Sequence, residues 1–305
     1  MEKTTVQQAT GSVVVAAIQF SCSNNTKENI AKAKRFIREA ASAGANIILL
    51  QELFSTLYFC QEPCEEYFSL AVSLNQVDDS FLSEFQSLAK ELRVVLPVSF
   101  FERCNQVFYN SVIIFDADGS CLGVYRKSHI PESPGYYEKF FFSPGDTGFR
   151  CFSTLYGVIG VGICWDQWFP ECARIMALLG ADILFYPTAI GSEPQDSRLD
   201  SRGHWQRTMQ GHAAANMIPL VASNRVGVEY TQYTDHRSHI TFYGSSLIVD
   251  ATGEIKIQAD SSSETFICYA FDLAAIRKQR AAWGLFRDRR PDLYALLGTR
   301  DGQNI

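Results

Sequence analysis

The chain has 305 residues and a formal net charge of −6, with 47% hydrophobic and 20% charged residues. That length can bury a sizeable core, and an acidic balance with a pI near 5.5 argues against nucleic acid or an anionic lipid surface as the partner. The one dense basic stretch, residues 287–291, is short, so a small molecule is the expected ligand.

The N-terminus has no basic lead, and its apolar run, Val13 to Ile18, is too short for a signal core or a membrane span. It reads as a first strand in a cytoplasmic protein. Asn25 is placed to cap a helix, with Glu28 three residues on, apolar Ile30, Ala33, Ile37 and Ala41 at helical spacing, and Gly44 as the stop. The run NIILLQELF (46–54) reads as a strand covered by helices, because it is continuously apolar rather than alternating. A helix over 79–92 and a strand over 94–101 follow.

Two hairpins then resemble each other. Residues 111–127 and 246–260 each place Asp-Ala-x-Gly between strand-like runs, which predicts a turn. The first is not a calcium loop: its glycine comes too early, and Lys127 stands where the closing glutamate would be. Between and after the hairpins the pattern predicts a strand over GVIGVGIC (157–164), a helix over 168–180, a strand over DILFYP (182–187), a helix over 201–217 and a strand over PLVASNR (219–225). The glycines of GVIGVG do not fit a dinucleotide fingerprint. The chain reads as a single domain over 1–305, with a C-terminal arm from about 285.

The nine cysteines are an odd number without a secretory signal, so reduced thiols are expected. Cys60 and Cys64 are not followed by a second pair at zinc-finger spacing, and no metal is expected.

In α/β sheets ligands gather at the carboxyl ends of strands. Glu52, Lys127 and Cys164 all close predicted strands, and Cys164 also precedes a helix. Singly, a cysteine is more often core and a Glu or Lys more often a solvated rim residue. Together they are what covalent attack on a carbonyl needs: a thiol inclined to thiolate by a helix N-terminus and a cation, a carboxylate base and an ammonium. A papain-like hydrolase, with Cys164 paired to a histidine, and a non-catalytic binding protein are the alternatives from other classes.

The segments LLQELF around Glu52, YRKSHIP around Lys127 and GVGICWDQWFPECAR around Cys164 resemble the three signature segments of the nitrilase superfamily of carbon-nitrogen hydrolases, in order and separation, across nearly the whole chain. ICWDQWFPE and the stretch from Gly191 to Asn216 are most similar to the N-carbamoylputrescine amidases within it. The resemblance implies a four-layer α-β-β-α sandwich, no cofactor, and a homo-oligomer, octamers and spirals being among the family's assemblies. It implies Cys164 as nucleophile, Glu52 as general base and Lys127 as stabilising cation. Glu138, rather than Glu132, is implied as a second glutamate by its spacing to the Ser143–Asp146 turn. The oxyanion is expected at Lys127 and the Trp165 backbone N–H. A carboxylate base leaves His129 a supporting role, with His236 and His239 as loop residues.

For the substrate, no arginine stands between Cys164 and Arg174 to meet a carboxylate, and Asp166 and Gln167 occupy the positions where a cation would serve. Glu193, with Asp196 beside it, follows the strand DILFYP and offers negative charge to an ammonium; Tyr58, Phe59 and Trp165 are the expected walls of its slot. The expectation is hydrolysis of N-carbamoylputrescine, with a β-ureidopropionase-like or other amidase of the superfamily as the alternative.

Overall fold

A computed structural model describes residues 11–74, 80–233 and 238–303. In chain order the regular elements are β1 (Val13–Gln19), α1 (Thr26–Ser42), β2 (Ile47–Leu49), α2 (Phe81–Leu92), β3 (Leu96–Cys104), β4 (Val107–Phe115), β5 (Cys121–Arg126), α3 (Glu138–Phe141), β6 (Cys151–Thr154), β7 (Gly157–Val161), α4 (Pro170–Leu178), β8 (Ile183–Pro187), α5 (Arg202–Asn216), β9 (Leu220–Ser223), β10 (Val226–Tyr230), β11 (His239–Tyr243), β12 (Leu247–Val249), β13 (Ile255–Gln258), β14 (Thr265–Phe271) and α6 (Leu273–Trp283). Among the described residues no helix is long and apolar enough to cross a membrane.

Twelve of the described strands form two large sheets, and β10 and β11 pair apart from them as an antiparallel ribbon. One large sheet runs β14-β1-β2 and continues, through a parallel bridge between Ile47 and Val95, into β3-β4-β5; the other has the order β13-β12-β9-β8-β7-β6. Side-chain alternation assigns the layers. Val14, Ala16 and Ile18 of β1 face Phe36 and Ile37 of α1 and Phe85 and Leu88 of α2, while Val15 and Ala17 turn the other way, into a core shared with Ile159, Val161, Ile183 and Phe185 of the second sheet. Leu184 and Tyr186 of β8 then meet Met176 of α4 and Trp205 and Met209 of α5. The result is the expected four-layer α-β-β-α sandwich. Strands covered on both faces explain why their sequences run apolar without a break.

Local signals act as read. The Asn25 side chain accepts from the Lys27 and Glu28 amides and donates to Glu28 in return. The two hairpin turns share one pattern: Asp116 N to Ser120 O and Gly119 N to Asp116 O in the first, Asp250 N to Glu254 O and Gly253 N to Asp250 O in the second. Both glycines have positive φ, 86° and 90°.

Strand and helix limits differ from expectation around the reactive segments. β2 stops at Leu49 and β7 at Val161, so Glu52 and Cys164 lie three residues beyond their strands rather than closing them. Residues Cys164–Trp168 form a 3-10 turn and α4 begins only at Pro170. Proline is suited to a first helical position but drives the residue before it extended, and Phe169 is extended at φ −103°, ψ 109°. After α6, residues 285–303 are mostly exposed, with short 3-10 turns at Pro291–Leu293 and Ala295–Gly298.

Helix α4 can lie close over β7 because glycine faces it. A Cβ on Gly162 would stand 2.7 Å from the buried Tyr186 ring and 3.1 Å from Cys172 Sγ. Gly162→Ala is therefore expected to destabilise the fold by about 1–3 kcal/mol, the usual cost of overpacking, read from denaturant unfolding.

Candidate active site

Glu52, Lys127 and Glu138 converge from three segments and are all but fully buried. The Lys127 ammonium donates to Glu52 Oε1 at 2.9 Å and to Glu138 Oε2 at 2.6 Å. Asn110, inside β4, donates to the same Glu52 oxygen at 2.7 Å, and the Tyr58 hydroxyl donates to Glu138 Oε1 at 2.7 Å. Glu52 Oε2 is buried and has no hydrogen-bond partner among the described residues. Glu132 lies elsewhere, accepting from the Lys139 amide at the surface, so of the two glutamates it is Glu138 that meets Lys127. Behind Lys127, Gly145 of the Ser143–Asp146 turn donates to the Lys127 carbonyl at 2.7 Å and presses so close that a Cβ would sit 2.1 Å from the Arg126 carbonyl oxygen.

Cys164 approaches from the second sheet with a positive φ of 41°, a conformation imposed by the turn rather than favoured by the residue. Asp166 holds that turn. Its carboxylate accepts from the Ile163 amide and the Tyr125 hydroxyl on one oxygen, and from the His129 amide and Nδ1 on the other, at 2.7–3.0 Å. Gln167 Oε1 accepts from Thr188 and from the indole of Trp205. Asp166 and Gln167 are thus buried scaffolding and do not reach the ligand space, which corrects the reading that placed them where a cation would serve. His129 supports Asp166 and stacks on Phe169. His239 is exposed on β11, and His236 lies outside the described residues.

A cavity of about 560 Å³ opens over Cys164 and Glu138, with walls of Tyr136, Trp165, Trp168 and Ile190 and a rim that includes Glu193, Asp200 and His204. No lysine or arginine is among the described residues that line it. Glu193 is half-buried there, and burial raises its pKa above the ordinary carboxylate value. Asp196 does not line the cavity and is paired with Arg198. Two expected walls are also corrected. Phe59 is stacked in a separate aromatic cluster with Phe101, Phe141 and Phe142, and Tyr58 is buried behind Glu138. Trp165, 39% exposed, is the one expected wall that faces the cavity. Among the described residues no group of three or more His, Cys, Asp and Glu side chains is placed to hold a metal ion.

The electrostatics differ from expectation at the thiol. Burial, with Glu52 beside it, pushes the Cys164 pKa well above the usual thiol value despite the opposing Lys127 charge. The five-residue 3-10 turn offers little helix dipole, and two carboxylates around one ammonium leave a net negative surrounding. The resting thiol is therefore protonated. Burial alone would lower Lys127, but Glu138 and Glu52 outweigh it and hold the ammonium charged. Glu138 is raised to about 7 by burial, against the pull of Lys127.

Residues 14–281 match the carbon-nitrogen hydrolase family. The chain belongs to that family. It is 58% identical to an N-carbamoylputrescine amidase of Arabidopsis thaliana, over 95% of this chain and 96% of that protein, and 51% identical to a citrullinase of Francisella tularensis, over 92% and 96%. A solved carbon-nitrogen hydrolase of Helicobacter pylori G27 superposes with a TM-score of 0.88 at 40% identity, covering 95% of this chain and 99% of that one.

Reading from sequence missed Asn110, Tyr136, Trp168 and His204. Asn110 alone left a trace, as one of two adjacent polar residues, with Ser111, in the middle of β4.

Two measurements check the electrostatics. At neutral pH the exposed Cys121 is expected to react with a thiol reagent faster than Cys164, by peptide mass spectrometry. If Glu138 must be ionised for turnover, kcat/KM falls as pH drops through about 7. Tyr58→Phe removes a hydrogen bond that favours the ionised carboxylate, so the midpoint of that acidic limb should move to higher pH.

Proposed function

We propose that the protein hydrolyses N-carbamoylputrescine to putrescine, carbon dioxide and ammonia in the cytoplasm, with Cys164 as nucleophile. The observation that carries the substrate is the cavity itself: the thiol and Glu138 at its floor, aromatic walls, a half-buried carboxylate at Glu193, and, among the described residues, no lining lysine or arginine to pair with a substrate carboxylate. An aminobutyl chain lays its methylenes on Trp165 and Trp168 and brings its ammonium to Glu193. The similarity to the plant amidases supports the same reading.

The chemistry follows from the proton inventory. The thiol is protonated and donates at rest to the Ala189 carbonyl at 3.8 Å; in the reaction the unpaired Oε2 of Glu52 takes its proton, since Oε1 is already held by Lys127 and Asn110. As sulfur attacks the carbamoyl carbon, its proton passes to Glu52. Lys127 and the Trp165 backbone N–H meet the developing oxyanion, and Glu52 returns the proton to the departing ammonia. Glu138 fixes the ammonium against Glu52. A carbamoyl-enzyme thioester remains. Water, deprotonated by Glu52, displaces the sulfur and releases a carbamate that decomposes to putrescine and carbon dioxide.

We further propose that the chain is one catalytic domain whose C-terminal residues from about 285 form an arm, and that it self-associates. Exposed Ile175, Leu178 and Leu179 on and after α4, with Trp283 at the end of α6, supply an apolar surface for that contact.

The deciding experiment compares kcat/KM for N-carbamoylputrescine, N-carbamoyl-β-alanine and citrulline; the first should be highest, and a higher value for either carboxylated substrate would overturn the assignment. Cys164→Ala should abolish turnover, and Glu52→Gln should lose most of kcat while the protein still binds substrate. Glu193→Gln should raise KM for N-carbamoylputrescine about tenfold or more, since a charge-assisted hydrogen bond is worth about 1.5–3 kcal/mol.

A further inference from the structure

Away from the cavity, one buried ion pair lies outside the chemistry described so far. Arg225 follows β9 in the second sheet and is fully buried; Glu229, on β10, is 3% exposed. The Arg225 guanidinium crosses to the loop after β2 in the first sheet. It donates from Nη2 to the carbonyls of Glu52 (2.9 Å) and Leu53 (2.6 Å), and from Nη1 to the carbonyl of Thr56 (2.9 Å) and to Glu229 Oε1 (2.9 Å). The second oxygen of Glu229 accepts the Tyr58 amide at 2.5 Å. Both ends of segment 52–58 are therefore held by one ion pair.

That segment carries two groups that touch the lysine arrangement. Glu52 meets Lys127 directly, and Tyr58 meets Glu138, the other carboxylate on Lys127, through its hydroxyl. Between them the backbone is unusual: Leu53 has φ 48°, and its amide is taken by Ser99 Oγ at 2.9 Å. A branched-chain residue in the left-handed region persists only where its surroundings enforce it. A planar guanidinium spanning three carbonyls enforces it here, and a lysine, a point charge on a flexible stem, cannot reproduce the fork.

Stability alone is a weak reason for such a pair, since burying two charges is costly and apolar replacements of equal volume are often as stable. We infer that Arg225 and Glu229 are positioning residues that set where Glu52 and Glu138 stand relative to Lys127 and Cys164, by fixing the backbone of residues 52–58. The inference rests on the catalytic roles proposed above.

The test is Arg225→Lys in the full-length protein, with Glu229→Gln as a second variant that keeps side-chain shape. Three quantities are compared with the parent: kcat and KM for N-carbamoylputrescine, the midpoint of the acidic limb, and the pH dependence of Cys164 alkylation by iodoacetamide. Displacing a base by about an ångström costs on the order of 100-fold, so kcat should fall by about that factor with KM changed less than about threefold. The acidic limb and the alkylation profile should both shift. A folded Arg225→Lys or Glu229→Gln with the parent's kcat and alkylation profile would overturn the inference, and so would failure of both variants to fold, which would make the pair a folding device only. If the parent protein does not hydrolyse N-carbamoylputrescine, the substrate reading fails by itself. The Cys164 alkylation profiles then still decide whether the pair positions the base, because they need no substrate.

Discussion

An ammonium enclosed by two carboxylates, all three all but fully buried, is the constraint on which the rest of the site depends. Each charge loses its hydration, and the arrangement persists only because the opposite charges touch and the remaining lone pairs find donors. Asn110 and Tyr58 are those donors. Of the four carboxylate oxygens, Oε2 of Glu52 is left without a partner among the described residues, and that is the atom the proposed general base needs free. An unsatisfied buried acceptor costs about 1–3 kcal/mol in an ordinary core. Here that cost falls on an atom whose free lone pair has a use in the proposed chemistry.

The net negative surrounding also explains a resting thiol that keeps its proton. A preformed thiolate would be a third anion beside one ammonium. In the proposed mechanism the proton instead stays on sulfur until a carbonyl arrives to take up the electron pair, and only then passes to Glu52. Asp166 separates the mechanical task from the electrostatic one: buried and saturated by four donors, it fixes the cysteine turn to the lysine segment through His129 and to β5 through Tyr125.

What could be read before the fold was known was local. The layers follow from apolar runs and capped helices, and the hairpins from Asp-Ala-x-Gly, because these features act within a few residues. Glu52, Lys127 and Cys164 were legible because each stands near a strand end. The failures are long-range. Phe59 and Tyr58 adjoin the base segment in sequence, yet proximity along the chain does not fix which way a ring faces, and both turn from the cavity. Asn110 and Arg225 reach Glu52 across 58 and 173 positions, contacts that no local pattern encodes. The thiol's state was misjudged for the same reason: the carboxylates that decide it come from elsewhere in the chain.

The division of the proposed catalytic groups between the two sheets has a mechanical consequence. Glu52 and Lys127 belong to one sheet and Cys164 to the other, and the layer between is apolar, built of contacts such as Val15, Leu49 and Tyr125 against Ile159, Val161 and Phe185. Dispersion holds such a layer together, and Arg225 and Asp166, which cross between the sheets at the site, add the directed contacts that set how one lies on the other. The distance from sulfur to its base is therefore a gauge of how one sheet is seated on the other. An added methylene in that layer would part the two while leaving every strand ladder whole, and such a protein would keep its secondary structure and cooperative melting yet lose its chemistry.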